Sequence, residues 1–144
     1  MIYFAYGSLV NRDRMSGLCP AAVPLQTARI PHHSLCFTGN SSTWGGGTAT
    51  IRLAPAFDLW GVLYEIDDEG RRNIEQSADS DGYVWSFTAV LDGEGARVRA
   101  GILIKIRDLE LTSPSAAYLE VLKTGWQQWG LNGKTLLSQS SNVP

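Results

Sequence analysis

The chain has 144 residues, 44% of them apolar, which is enough for one domain with a core of its own. Twelve basic against 14 acidic residues leave a formal charge of −2, which argues against a nucleic-acid backbone or an anionic membrane as the main partner. No apolar run approaches the roughly 18 residues a membrane span needs, and the opening Met-Ile-Tyr-Phe-Ala-Tyr-Gly-Ser lacks the basic flank of a secretion signal, so a cytoplasmic location is expected.

Ile2 to Tyr6 is a short run of β-formers ended by Gly7-Ser8, and reads as a first strand. Ser8 or Asn11 is placed to cap a helical turn through Met15, which Cys19-Pro20 closes. Thr27 to Phe37 has strand composition, with Pro31 marking an edge or a bulge. Residues 39–47 form a glycine-rich loop, 48–53 a strand, and Pro55 breaks the chain before a further strand over 58–66. Asp67 and Asp68 are N-cap residues for a short helix to about Ser77. Strands follow at 83–91 and 97–106, joined by Asp92-Gly93-Glu94-Gly95, in which Asp-Gly supports positive φ.

Thr112-Ser113-Pro114 is expected to open the last helix, with proline in its first turn. Along that helix Tyr118, Leu119, Leu122, Trp126 and Trp129 recur at a spacing that faces a core. Residues 138–144 read as a polar tail. About six strands with three short helices among them predict a single α+β domain over residues 1–144, built on a curled sheet or small barrel.

The reactive side chains match few known devices. Cys19 and Cys36 have neither zinc-ligand nor redox-pair spacing and are expected as reduced thiols. His32 and His33 lack the further partners a metal would need, so no metal site is expected. Gly45-Gly46-Gly47 is followed by no Lys-Ser/Thr and is not a phosphate loop. Ser8 lacks the Gly-x-Ser-x-Gly setting of a hydrolase nucleophile. Arg71-Arg72 and Asp67-Asp68-Glu69 read as the wet face of the short helix.

One motif carries more. Tyr3-Phe4-Ala5-Tyr6-Gly7-Ser8-Leu9, followed in order by Cys19-Pro20, Ala28-Arg29, Phe37, Gly46 to Ile51, Leu59 to Tyr64, and Pro114-Ser115 with Tyr118, resembles the γ-glutamylcyclotransferase (AIG2-like) superfamily over residues 1 to about 133. The resemblance implies a small mixed β-barrel flanked by short helices, of about six strands here. It implies an intramolecular aminolysis, in which the α-amine of a γ-glutamyl group closes on its own γ-carbonyl to give 5-oxoproline and expel an amine. Since nucleophile and electrophile share one molecule, much of the proximity is built into the substrate. No cofactor is implied, and the partner is a small γ-glutamyl compound or another carboxylate ligand.

The same resemblance places substrate-binding roles on Tyr6, Gly7, Ser8 and Leu9, where backbone N–H groups at a strand-to-helix bend meet carboxylate or oxyanion, and on Tyr83. The family's proton-carrying Glu falls, counted from Ile74, on Ala78, which cannot move a proton; counted back from Tyr83 it falls on Gln76 or Ser77. Glu75 and Asp79 are therefore the catalytic candidates, with Asp81 a looser one. The family's motif Asn is Leu9 here, and Gly101-Ile102 stands where members often carry a pocket tyrosine. Two expectations result: an enzyme using a neighbouring acid, or a relative that binds the ligand without turning it over.

Overall fold

The computed structural model describes residues 1–78, 82–107 and 110–140. Five strands close into a mixed barrel in the order β1-β3-β2-β4-β5: β1 (Ile2–Ala5), β2 (Val23–Thr38), β3 (Thr48–Glu65), β4 (Tyr83–Leu91) and β5 (Arg97–Lys105). Only β1 and β5 run parallel, at Tyr3 and Gly101; the other neighbours are antiparallel. Helices α1 (Arg12–Leu18), α2 (Asp68–Ala78), α3 (Ala116–Trp129) and α4 (Gly133–Ser138) pack outside, and a 3-10 turn, Ser8–Val10, links β1 to α1.

The barrel has five strands rather than about six because the segments at 48–53 and 58–66 are one. Pro55 does not end the strand. It lies in the irregular stretch where β2 and β3 lose register between Pro31↔Asp58 and His33↔Leu53, and the ladder resumes on both sides. The opposite bulge expected at Pro31 is present there, with His32 in the left-handed region at φ 63°.

Three further boundaries differ from expectation. Pro114 lies outside α3, bridging to Gly46, and Ser115 is the N-cap, its Oγ accepting from Tyr118 N–H at 3.2 Å. In the 92–96 loop the positive φ belongs to Gly95, at 80°, and not to Gly93, because Asp92 Oδ1 accepts from both Glu94 and Ala96 N–H and winds the loop around itself. Ser138 ends α4 instead of opening a tail.

The core fills the barrel and the shelf beneath α3. Phe4, Leu35, Phe37, Leu59, Leu63, Ile102, Leu122 and Trp126 are all buried within it. Asn11 fixes the β1–α1 connection. Its Oδ1 accepts from Asp13 and Arg14 N–H at 3.0 and 3.2 Å while its Nδ2 donates to Val121 O on α3. Of the two candidate caps, Asn11 is the one used. At the other end of the core, β5 lies close under Trp85: a Cβ on Gly101 would sit 2.1 Å from the indole, which stacks on Tyr3. The indole thus fills the space that a side chain at position 101 would need.

Candidate functional site

At one mouth of the barrel a cavity of about 130 Å³ is bounded by the bend after β1, the start of β3, the end of α2, and α3. Its size is below the roughly 300–1,000 Å³ of drug-sized pockets and suits a group about as large as one amino acid. Tyr6, Gly7, Ser8, Leu9 and Tyr83 all line it, so the five expected binding residues are brought together.

The bend has a defined hydrogen-bonding deficit. The first bonds of the 3-10 turn are Val10 N–H to Gly7 O and Asn11 N–H to Ser8 O, both 3.1 Å. The N–H groups of Ser8 and Leu9 precede them and find no acceptor within the turn. Gly7 keeps this surface open. A Cβ placed there would point at Tyr118 Oη, 3.4 Å away, and at Ala49 Cβ, 3.6 Å away, both of which line the cavity.

Tyrosines frame the opposite wall. Tyr118 Oη accepts from Ala49 N–H at 2.9 Å and Tyr83 Oη donates to Ala49 O, so both polar backbone groups of that residue have tyrosine side-chain partners. Behind them Lys105 is buried, its Nζ donating to Thr38 O and Thr48 Oγ1, each at 2.7 Å, and lying 5.1 Å from the Tyr83 ring. Tyr6 Oη donates to Leu103 O. Burial pushes the Tyr6 hydroxyl well above its usual range, with Tyr3 beside it acting in the same direction. Burial pushes Tyr3 up as well. Both phenols are therefore neutral near pH 7 and cannot serve as bases.

The rim is built from the 39–47 loop. Ser41 Oγ accepts from Thr43 and Trp44 N–H, and Gly47 passes so close to Thr112 that a Cβ would lie 2.1 Å from its carbonyl oxygen. Trp44 is thereby set edge-on to Tyr118 at 5.3 Å, and the Arg14 guanidinium lies 4.5 Å from its ring centroid.

Of the three positions that the two ways of counting offered, Ala78 and Ser77 line the cavity, whereas Gln76 lines a separate groove. Ser77 Oγ donates to Ile74 O. Glu75 does not line this cavity. Its carboxylate faces a separate groove between α2 and β4 and pairs with Arg71 at 3.2 Å, one helical turn back. Asp79 and Asp81 lie outside the described residues. Among the described lining residues Arg14 is the one charged side chain, and none is a carboxylate.

Cys19 and Cys36 are buried free thiols, and burial raises both, so neither offers a thiolate. Among the described residues no helix is long and apolar enough to cross a membrane.

Sequence reasoning did not single out Arg14, Thr43, Thr48, Ala49 or Leu103 as cavity residues. For Arg14 a signal existed: a basic residue in the first turn of a helix opposes the helix dipole, and that asks for another reason to be there.

A comparison with models of known protein families gives no match. Among curated proteins, the chain is 31% identical over 137 residues to γ-glutamylcyclotransferase of Bos taurus, covering 90% of this chain and 72% of that one. It is 29% identical over the same length and shares to γ-glutamylcyclotransferase of Homo sapiens. A solved structure of a γ-glutamyl cyclotransferase superposes with a TM-score of 0.86 at 25% identity, covering 99% of this chain and 90% of that one. With the motif bend, the closed mixed barrel and the cavity between them all in place, the chain belongs to the γ-glutamylcyclotransferase family.

Proposed function

We propose that the protein releases 5-oxoproline from a γ-glutamyl compound, with Asp79 as the proton carrier and no cofactor. The observation that carries this reading is the cavity at the Tyr6–Leu9 bend, which Ser8 and Leu9 line and where their N–H groups have no backbone acceptor among the described residues. In that space the α-amine attacks the γ-carbonyl, a C–N bond closes the five-membered ring, and the γ-amide C–N bond breaks. The proton lost by the attacking amine is delivered to the departing one. Developing charge on the carbonyl oxygen is met by amide hydrogens already in position, which need no reorganisation.

The proton transfer needs a group that changes ionisation near neutrality. Glu75 is disfavoured for it, because it points into another groove and holds Arg71. Asp79 follows Ala78 directly in the chain, and Ala78 lines the cavity. We place the reaction in the cytoplasm, in keeping with two cysteines that are both free thiols.

The test is incubation with a panel of γ-glutamyl dipeptides, with 5-oxoproline measured for the natural protein, Asp79→Asn and Glu75→Gln. Asp79→Asn should lose about 100-fold or more in kcat, in the range general acid–base catalysis supplies, and Glu75→Gln less than about threefold. Unchanged rates in Asp79→Asn would reject Asp79. A second reading, a pocket that binds without turnover, draws on Ala78 standing where a carboxylate was expected. Saturable binding with no product across the panel would establish it in place of the first.

A further inference from the structure

We propose that Arg14 is a specificity-determining residue that reads a carboxylate on the leaving amine, so that the site selects γ-glutamyl amino acids over γ-glutamyl alkylamines. This rests on the cyclotransferase reading of the cavity and goes beyond it by assigning the leaving group a recognition element. Four observations lead there. Arg14 is the one charged side chain among the described lining residues. Three other guanidiniums hold polar partners inside the molecule: Arg29 with Asp58 at 3.1 Å, Arg71 with Glu75 at 3.2 Å, and Arg52 with Ser34 Oγ at 3.1 Å. Arg14 has no carboxylate and no side-chain hydrogen-bond partner among the described residues.

The fourth observation is that Arg14 is held in place. Its guanidinium stacks on Trp44, and Trp44 is fixed in turn by Ser41 and by the Tyr118 edge. A planar cation resting on a ring face keeps its N–H edge free for a carboxylate fork.

Depth decides which carboxylate it reads. The bend lies on the inner side of the cavity, with Tyr6 and Leu9 buried, whereas Arg14 is exposed at the rim. A glutamyl group seated against the bend directs its γ-amide outward, so the departing amine and anything attached to it pass the guanidinium. A γ-glutamyl amino acid presents a carboxylate at that point. A γ-glutamyl alkylamine presents none.

Two probes isolate the contact: γ-glutamyl-L-alanine, and γ-glutamyl ethylamide, the same molecule without its second carboxylate. Their dissociation constants should be measured calorimetrically, and kcat/KM wherever product forms, for the natural protein, Arg14→Met and Arg14→Lys. The natural protein should favour the dipeptide about 10- to 100-fold, as expected for a charge-assisted hydrogen-bonded pair. In Arg14→Met that preference should fall to within about threefold of unity, and Arg14→Lys should restore part of it. A preference ratio unchanged in Arg14→Met, including one unchanged because both ligands weaken together, overturns the proposal. Because the readout is a ratio, a general loss of folding does not imitate it. Binding without product would reject the catalytic reading while still testing Arg14, and binding of neither probe would reject both.

Discussion

At the residue scale, the cavity depends on an absent side chain. Gly7 opens the bend and faces the Ala49–Tyr118 wall, and a methyl group there would meet that wall only at ordinary contact distance. Gly7→Ala should therefore cost the fold no more than about 1 kcal/mol, in line with substitutions that neither open a cavity nor overpack a core. It would nonetheless occupy the floor on which a glutamyl group has to rest. The expected outcome is a ligand affinity at least about tenfold weaker, or about 1.4 kcal/mol, with a nearly unchanged urea midpoint. Calorimetric titration alongside urea unfolding checks both halves. A full-affinity Gly7→Ala protein would mean that ligand does not approach the bend.

At the element scale, the connection from β1 through the 3-10 turn to α1 does two jobs at once, and Asn11 links them. It caps α1, so it sets the start of the helix that carries Arg14, and it ties that start to α3 through Val121 O. Asn11→Ala removes the cap and one interhelical bond at a site only 6% exposed. A loss of about 1–3 kcal/mol in urea unfolding is expected. Asn11→Ser keeps an N-cap oxygen and should recover about half of it. The cap was legible in the sequence because Asn before a helical run is local chemistry, and so were the β1 run and the Asp67 cap, whose Oδ1 accepts from Gly70 N–H. What was not legible depended on distant partners. Pro55 and Pro114 read as punctuation, yet one is absorbed by a register shift against Pro31 and the other is drawn from α3 toward Gly46. The bend likewise announced itself through its motif, whereas Arg14 became a cavity residue only once Trp44, thirty positions on, was brought beneath it.

At the scale of the whole molecule, closing the barrel buries phenols from strands that do not adjoin in sequence, and this couples stability to alkaline pH. Burial raises Tyr3 and Tyr6 far above the ordinary value of 10.0 and Tyr64 to about 12, the last despite opposing contributions from Trp129 and Arg12. Below pH 10 both the folded and the unfolded chain keep these three protons, and the full stabilisation is present. Above it the unfolded chain releases them while the native barrel retains them, so the unfolded state is favoured progressively as pH rises toward the folded values. Three of the five tyrosines should thus fail to ionise in the native protein at about pH 11. Phenolate absorbance followed up the pH scale should show no more than two groups titrating before a cooperative step in which the rest appear together with the loss of circular dichroism. A smooth titration of all five with the fold intact would contradict the closed packing around Tyr3 and Tyr6. Since Tyr6 forms the wall from which the bend departs, ligand that seats against the bend should shift the cooperative step to higher pH, by binding the folded state alone.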